Sequence, residues 1–210
     1  MAERGRPRCF DRDQALRRAM EVFWKHGYEG SSLACLTEAM QINSPSLYAT
    51  FGSKEALYKE ALDLYDSEAG AVINAVLNGE PRARDAIAAM LSATAQCVSN
   101  PDQPAGCMVL ISALNCTPEN ACVWQHLHER RERAVGLLRA RLERGVADGD
   151  IPASVDLQML TAFYIGIRQG MAMQALDGAS REVLASMAAA AMTAWNALVP
   201  APVQSVSQGT

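Results

Sequence analysis

The 210-residue sequence predicts an all-α fold. Apolar residues recur every three or four positions along most of the chain, which is the periodicity of amphipathic helices. Ser, Asp or Asn repeatedly precedes these segments, as expected of residues that cap helix N-termini. Alternating runs of β-branched residues bounded by turns, which would indicate strands, do not occur. We therefore expect about nine helices joined by short loops.

Three short helices are predicted within the first 52 residues. Asp11 can cap the first helix, and Gly27 ends it, since glycine commonly terminates helices. Ser32 caps a second helix of two to three turns. A tight turn follows, and Asn43 then caps a third helix that ends at Gly52. This succession of helix, short helix, turn and short helix is typical of a helix-turn-helix.

Longer helices are predicted for the rest of the chain, beginning with one capped by Ser53. Breaks at GEPRAR, NPDQPAG and GDIP separate them because these segments are rich in Gly and Pro. The predicted ranges are 53–78, 83–100, 107–116, 118–149, 155–176 and 180–198. We therefore expect an N-terminal domain of residues 1–52, a larger helical domain of residues 53–199, and a disordered polar tail of residues 200–210.

Charge is distributed unevenly along the chain, which has a net charge of −4. Residues 1–60 carry nine Lys or Arg against eight Asp or Glu, whereas residues 61–210 have a net charge of −5. Arg4, Arg6 and Arg8 form a basic arm at the N-terminus. Such an arm on an acidic protein favours local docking to a polyanion, and the alternative is a solvated, disordered terminus.

The sequence gives no sign of export or membrane insertion. No run of about 18 apolar residues occurs, and the charged N-terminus lacks the apolar core of a secretory signal. We therefore expect a cytoplasmic protein whose six cysteines are reduced thiols. Their spacing matches no zinc site, and His126 and His128 would lie on different faces of a helix. Neither a metal nor a cofactor is implied.

The segment INSPSLYATFGSKEAL, from Ile42 to Leu57, carries the strongest functional signal. Its short hydroxyl side chains would lie on the outside of the third helix, where they can approach base edges in a major groove. A tyrosine hydroxyl can reach a phosphate, and a lysine at the start of the next helix adds a cation beside free backbone N–H groups. No nucleophile has a base beside it. The segment therefore predicts a DNA contact surface and no enzymatic activity.

At this point the chain resembles the TetR/AcrR family of transcriptional regulators. The resemblance rests on GRPR, on ALRRAMEVFWKHGYEGSSL and on INSPSLYATFGSKEAL, within about the first sixty residues. It implies a dimer with two DNA-binding heads and a C-terminal helical domain that senses a ligand. The family's phosphate-contacting residues fall on Tyr48 and Lys54. Its base-reading positions fall on Ser44, Pro45, Ser46 and Thr50, and Ser32 caps the helix that docks on the DNA backbone.

Two positions depart from the family pattern. Gln41 stands in the turn where the family usually has glycine, and Ser44 is smaller than the Lys, Arg or Gln often found there. The operator sequence therefore does not transfer to this chain by resemblance.

The last two predicted helices, at 155–176 and 180–198, are apolar on more than one side. Gly166, Gly170 and the run Ala188–Ala191 would permit close backbone approach. We expect the pair to meet its copy in a two-fold homodimer as a four-helix bundle. The alternative is a hairpin buried inside a large monomer.

Cys107 follows a Pro-Ala-Gly turn at the expected start of a helix, where a thiolate is stabilised. It could sense electrophiles, oxidants or a soft metal ion, or it could be a small core residue. Met90, Trp124, Tyr164 and Arg168 are further candidates for lining a ligand cavity, and each could instead pack or pair in the core.

Two functions of different classes remain open on this evidence. The first is a DNA-binding regulator, expected to be a repressor, that a small-molecule effector or a thiol reaction releases from a palindromic operator. The second is a helical cysteine-dependent redox protein or enzyme without a DNA role. The basic arm, Tyr48 and Lys54 favour the first.

Overall fold

A computed structural model describes residues 10–114 and 117–200. Within these ranges all regular secondary structure is helical, which confirms the predicted all-α class. The α-helical segments are α1 (Arg12–Gly30), α2 (Leu33–Met40), α3 (Ser44–Phe51), α4 (Lys54–Tyr65), α5 (Ala71–Gly79), α6 (Ala83–Val98), α7 (Met108–Leu114), α8 (Ala121–Ala147), α9 (Leu157–Leu176), α10 (Arg181–Thr193) and α11 (Trp195–Leu198). The basic arm with Arg4, Arg6 and Arg8 lies outside the described residues, as does most of the predicted tail.

The predicted caps are made by the expected side chains in the N-terminal helices. The Asp11 carboxylate accepts from the N–H groups of Asp13 and Gln14. Asn43 accepts from the Ser46 N–H at 2.8 Å, and Ser53 does the same for α4. Gly27 has φ 67° and non-helical geometry, so it interrupts α1 where the sequence predicted its end. A last turn continues to Gly30 beyond that kink.

Two predicted helices prove to be interrupted. The helix expected at 53–78 contains a π-helical turn, Asp66–Gly70, between α4 and α5. The helix expected at 180–198 divides at Ala194 into α10 and α11. Neither interruption was predicted from the sequence, because the residues flanking each break keep right-handed helical backbone angles. Since both pairs are nearly continuous, the described chain still forms about nine helical rods.

The buried side chains form two clusters. The first joins α1–α4 with parts of α7 and α8, and aromatic rings fill it; the Phe23 ring meets the Tyr58 ring edge to face at 4.9 Å. The second joins α5, α6, α8, α9 and α10, with Tyr164 beside Trp195 at its centre. Helix α7 packs against α1 and α8, so it connects the N-terminal helices to the larger bundle.

No described helix combines enough length and apolarity to cross a bilayer.

Candidate DNA-binding surface and internal cavity

Helix α3 presents a polar outer face because its apolar residues are spaced four apart. Leu47 and Phe51 are buried, as predicted, and they hold the helix against the core. On the outside, Ser44 and Pro45 are exposed and the Tyr48 side chain is 46% exposed. A short helix with a solvated hydroxyl-bearing face can enter a major groove without moving the core.

Two candidate contact residues, Ser46 and Thr50, are only half-buried rather than exposed. They lie at the edge of the α3 surface, beside the more exposed Tyr48. Ser32 is exposed and its Oγ accepts from the Cys35 N–H at 3.1 Å. Its hydroxyl proton remains free to donate to an acceptor such as a phosphate oxygen.

The turn before α3 contains a backbone conformation that suits glycine. Gln41 has φ 57° and ψ 39°, and it caps α2 by donating its N–H to the Glu38 carbonyl at 3.1 Å. Left-handed geometry costs a residue with a Cβ about 1–2 kcal/mol. The left-handed geometry thus gives a physical reason for the glycine that the family resemblance led us to expect at this position.

Lys54 is held in place before any DNA is present. Its Nζ lies 4.2 Å from the centre of the Tyr28 ring, a cation–π contact that fixes the ammonium at the start of α4. Burial lowers the pKa of Lys54, and the nearby Glu29 carboxylate partly opposes this effect. The cation is therefore oriented rather than freely mobile.

A half-open cavity of about 480 Å³ lies between α4, α7 and the larger bundle. Its walls come from α4–α9 and the π-helical turn, which contributes Asp66, Ala69 and Gly70. A π-helical turn widens a helix locally and is frequent at functional sites. The volume lies within the range of small-molecule sites.

Cys107, the candidate sensor thiol, and Arg168, a candidate lining residue, both lie at the wall of this cavity. The Tyr65 hydroxyl contacts the Cys107 Sγ at 3.5 Å. Burial raises the pKa of Tyr65 well above its ordinary value, and Cys107 adds to this effect. Burial also raises the pKa of Cys97, a third neighbour of Arg168.

Three other predicted lining residues do not contribute to this cavity. Met90 and Tyr164 are completely buried in the core of the bundle, and burial raises the pKa of Tyr164 to about 12. Trp124 is 45% exposed and stacks on His128 at the surface. Residue type and periodicity do not distinguish a cavity wall from a packed core or a solvated ring.

Arg130, Arg131 and Tyr65 also line the cavity, and none of them was predicted from the sequence. The two arginines belong to a strongly charged stretch of α8, a pattern that is typical of a solvated helix face. Arg130 is nevertheless buried, and it pairs with Asp66 and, at 2.5 Å, with Asp63. A charged run alone carries no signal that could have identified them.

A hydrogen-bonded carboxylate joins the end of α1 to the segment between α7 and α8. Glu29, at the end of α1, accepts from the Thr117 N–H and Oγ1, each at 3.0 Å, and from the Asn120 Nδ2 at 2.7 Å. The Thr117 N–H is the main reason why the pKa of Glu29 is lowered. This segment follows α7, whose first turn begins beside Cys107 at the cavity wall.

Among the described residues, no cluster of His, Cys, Asp and Glu side chains is arranged to hold a metal ion.

Known proteins resemble the chain along most of its length. Residues 15–61 match the family of bacterial regulatory proteins of the tetR type, and residues 79–191 match the tetracyclin repressor-like C-terminal domain. The HTH-type transcriptional repressor ComR of Escherichia coli (strain K12) is 38% identical over 197 residues, covering 93% of this chain and 94% of ComR. The repressor BdcR of the same strain is 29% identical over 187 residues, covering 89% of this chain and 90% of BdcR.

A solved structure is similar at the level of the whole fold. It is a cysteine mutant of the TetR family transcriptional regulator CifR, complexed with a 26-base-pair double-strand operator DNA. It is 46% identical, has a TM-score of 0.87, and covers 91% of this chain and 100% of its own. These relatives are transcriptional regulators, which decides against the alternative of a thiol-dependent enzyme. The chain belongs to the TetR family of bacterial regulatory proteins.

Proposed function

We propose that this protein is a homodimeric repressor that binds a palindromic operator and is released by an effector in the 480 Å³ cavity. Residues 1–52 form the DNA-binding domain, and residues 53–199 form the sensor and dimerisation domain. The observation that carries the proposal is the solvated, hydroxyl-bearing face of α3 beside the oriented cation of Lys54. Operator DNA is the partner, so the protein acts in the cytoplasm. The names of its relatives support this function.

We assign phosphate contacts to Tyr48 and Lys54, and base contacts to Ser44, Pro45, Ser46 and Thr50. Ser32 contributes a hydroxyl at the start of α2. Lys54→Ala should weaken binding equally on all sequences and reduce the salt dependence by about one counterion per head. Lys59→Ala is the matched control, because Lys59 is bound to Glu55 at 2.6 Å one turn further along α4. An unchanged salt slope in Lys54→Ala, measured by fluorescence anisotropy, would contradict the assignment.

Arg4, Arg6 and Arg8 form an arm that we expect to enter the minor groove beside each half-site, where A·T-rich DNA attracts arginine. Deleting residues 1–8 should leave folding and dimerisation intact and lower operator affinity. Binding at full strength by the truncated protein would remove the arm from the mechanism.

The homodimer uses the outer faces of α9 and α10, which expose Met159, Met173, Leu176 and Val183. Ala188 and Ala191, within the alanine run noted in the sequence, are buried inside the monomer and cannot form this surface. Val183→Glu should therefore yield monomers in analytical ultracentrifugation. Val72→Glu is the control, since Val72 is equally exposed on α5, away from this pair. Persistent dimers in Val183→Glu would place the interface elsewhere.

Release can also follow a thiol reaction, for which Cys107 is the candidate because it is half-buried at the cavity wall beside Tyr65. A bulky adduct there would displace the start of α7, which packs on α1. The test compares wild type with Cys107→Ser for operator release by electrophiles, peroxide and Cu(I). Equal release of both proteins would show that the thiol is not the sensor.

A further inference from the structure

The charged groups of the cavity wall do not balance. Four arginines line it, Arg130, Arg131, Arg133 and Arg168, against one carboxylate among the described lining residues, Asp66. That carboxylate is already paired with Arg130. The wall therefore carries an excess of positive charge without a protein counter-ion.

Arg168 extends from α9 into the cavity, and its buried Nε has no hydrogen-bond partner. Its electrostatic neighbours are Cys107, Tyr65 and Cys97. Burial raises the pKa of Tyr65 and of Cys97, so both are neutral near pH 7 and neither supplies a negative charge. Burial lowers the pKa of Arg168, but a guanidinium keeps its proton at neutral pH.

Arg131 reaches the same cavity from α8. Its Nη1 is buried and has no hydrogen-bond partner, and within the described part of the chain no carboxylate forms an ion pair with it. Two helices thus place guanidinium groups with unused donors at one cavity. Leaving a buried donor or charge unpaired is costly, so an arrangement of this kind is unfavourable in the empty protein.

The remainder of the wall is largely apolar. Ile73, Leu77, Val98, Leu110, Ile165 and Ala172 supply most of it, and none of them can hydrogen-bond through its side chain. Such a surface suits an alkyl or aryl group, and it disfavours sugars and other polyols, whose hydroxyl groups would lose water without gaining partners.

We infer that the effector is a small amphiphilic anion, with a carboxylate-like head between Arg168 and Arg131 and an apolar body along the remaining wall. Guanidinium groups bind carboxylates through paired, charge-assisted hydrogen bonds, and a carboxylate would supply the counter-ion that Arg168 and Arg131 lack within the described chain. The inference rests on the proposed function, since it names the class of ligand for the proposed effector cavity.

The test measures binding by isothermal titration calorimetry on the full chain without DNA. Octanoate and 4-phenylbutyrate serve as alkyl and aryl carboxylates, while octanamide and octyltrimethylammonium are the neutral and cationic controls. At least one carboxylate should bind, and octanoate should bind about tenfold or more tightly than octanamide, given the strength of charged hydrogen bonds. The relative affinity of the two carboxylates tells which body the wall prefers.

Variants locate the head group. Arg168→Met and Arg131→Met should each weaken carboxylate binding about tenfold and leave octanamide binding unchanged, which also shows that the cavity is intact. Arg139→Met is the control, because Arg139 is exposed on α8 and bound to Glu143. Its carboxylate affinity should equal that of the wild type.

Three results would overturn the inference: equal affinity for octanoate and octanamide, tighter binding of octyltrimethylammonium, or no binding of either carboxylate. Undiminished carboxylate binding in Arg168→Met and Arg131→Met would do the same. A gel shift on the same preparation tests the proposed function separately. Loss of operator binding with retained octanoate binding would refute the repressor and leave the ligand class standing.

Discussion

The N-terminal helices and the helices around the cavity differ in how their polar groups are paired. Each of α1–α4 begins at a side chain, namely Asp11, Ser32, Asn43 or Ser53, that accepts a free N–H of its first turn. The residues before α6 and α8 form no side-chain cap hydrogen bond, although Asp156 caps α9 and the Ala83 N–H of α6 donates to Asp150. The guanidinium groups of the cavity keep unused donors. Unpaired buried groups also occur near the N-terminus, but the indole N–H of Trp24 carries no charge.

The contrast follows from what each region has to do. A DNA-reading head must present one rigid surface, so its local interactions are satisfied within the chain. A sensor must be able to gain stability when a ligand arrives, so some of its polar groups stay without partners until then. Arg131 and Arg168 are such groups at the proposed ligand site, and the buried Arg141, outside the cavity, also keeps unpaired donors.

The largest expected effect tests the rigidity of the head. Leu47 is completely buried, so Leu47→Ala should lower the free energy of unfolding by about 2–5 kcal/mol and abolish DNA binding at 37 °C. Leu137, at the cavity wall, is 49% exposed, and Leu137→Ala should change it by less than about 0.5 kcal/mol. Urea unfolding followed by circular dichroism measures both. Similar losses for the two variants would contradict the contrast.

The next prediction is a gain in the free energy of unfolding instead of a loss. Arg168→Met removes a buried charge without a counter-ion and keeps most of the side-chain volume. We expect the ligand-free protein to gain about 1–2 kcal/mol, a rise in Tm of about 2–8 °C. Arg139→Met, at an exposed ion pair, should shift Tm little. A lower Tm for Arg168→Met in differential scanning calorimetry would mean that the protein already compensates the charge.

Helix caps offer a smaller and more local comparison. Asn43→Ala removes the acceptor of the Ser46 N–H and should cost about 1 kcal/mol. Arg82 occupies the corresponding position before α6 without a side-chain cap bond, so Arg82→Ala should cost less than about 0.5 kcal/mol. Equal costs in chemical unfolding would show that the caps do not distinguish the two regions.

The smallest effect concerns Gln41, the non-glycine residue with a positive φ in the described part of the head. Gln41→Gly relieves left-handed geometry but adds flexibility to the unfolded chain, so a net gain of about 0.5 kcal/mol is expected. Gln103→Gly, in an exposed loop and without positive φ, should give no gain. A loss of stability in Gln41→Gly would show that the glutamine side chain contributes something that its backbone conformation does not indicate.

The sequence by itself determined the helical class, the caps of the N-terminal helices and the inward direction of Leu47 and Phe51. These features depend on residues that are close together in the chain. They follow from the helical period of 3.6 residues and from hydrogen bonds that span three residues. The polar outer face of α3 was predictable from the same helical period. So was Arg168 as a candidate, because it is a single charge within an apolar helix.

Only the tertiary structure decided which side chains share the cavity. Arg131, Tyr65 and Cys97 are far apart in sequence, and each has an ordinary local pattern. Trp124 is of a residue type common in ligand sites, yet it lies at the surface. The π-helical turn at Asp66–Gly70 was not predicted from the hydrophobic pattern. The imbalance of charge in the cavity depends on where α8 and α9 cross. That crossing is set by long-range packing, which local sequence patterns do not encode.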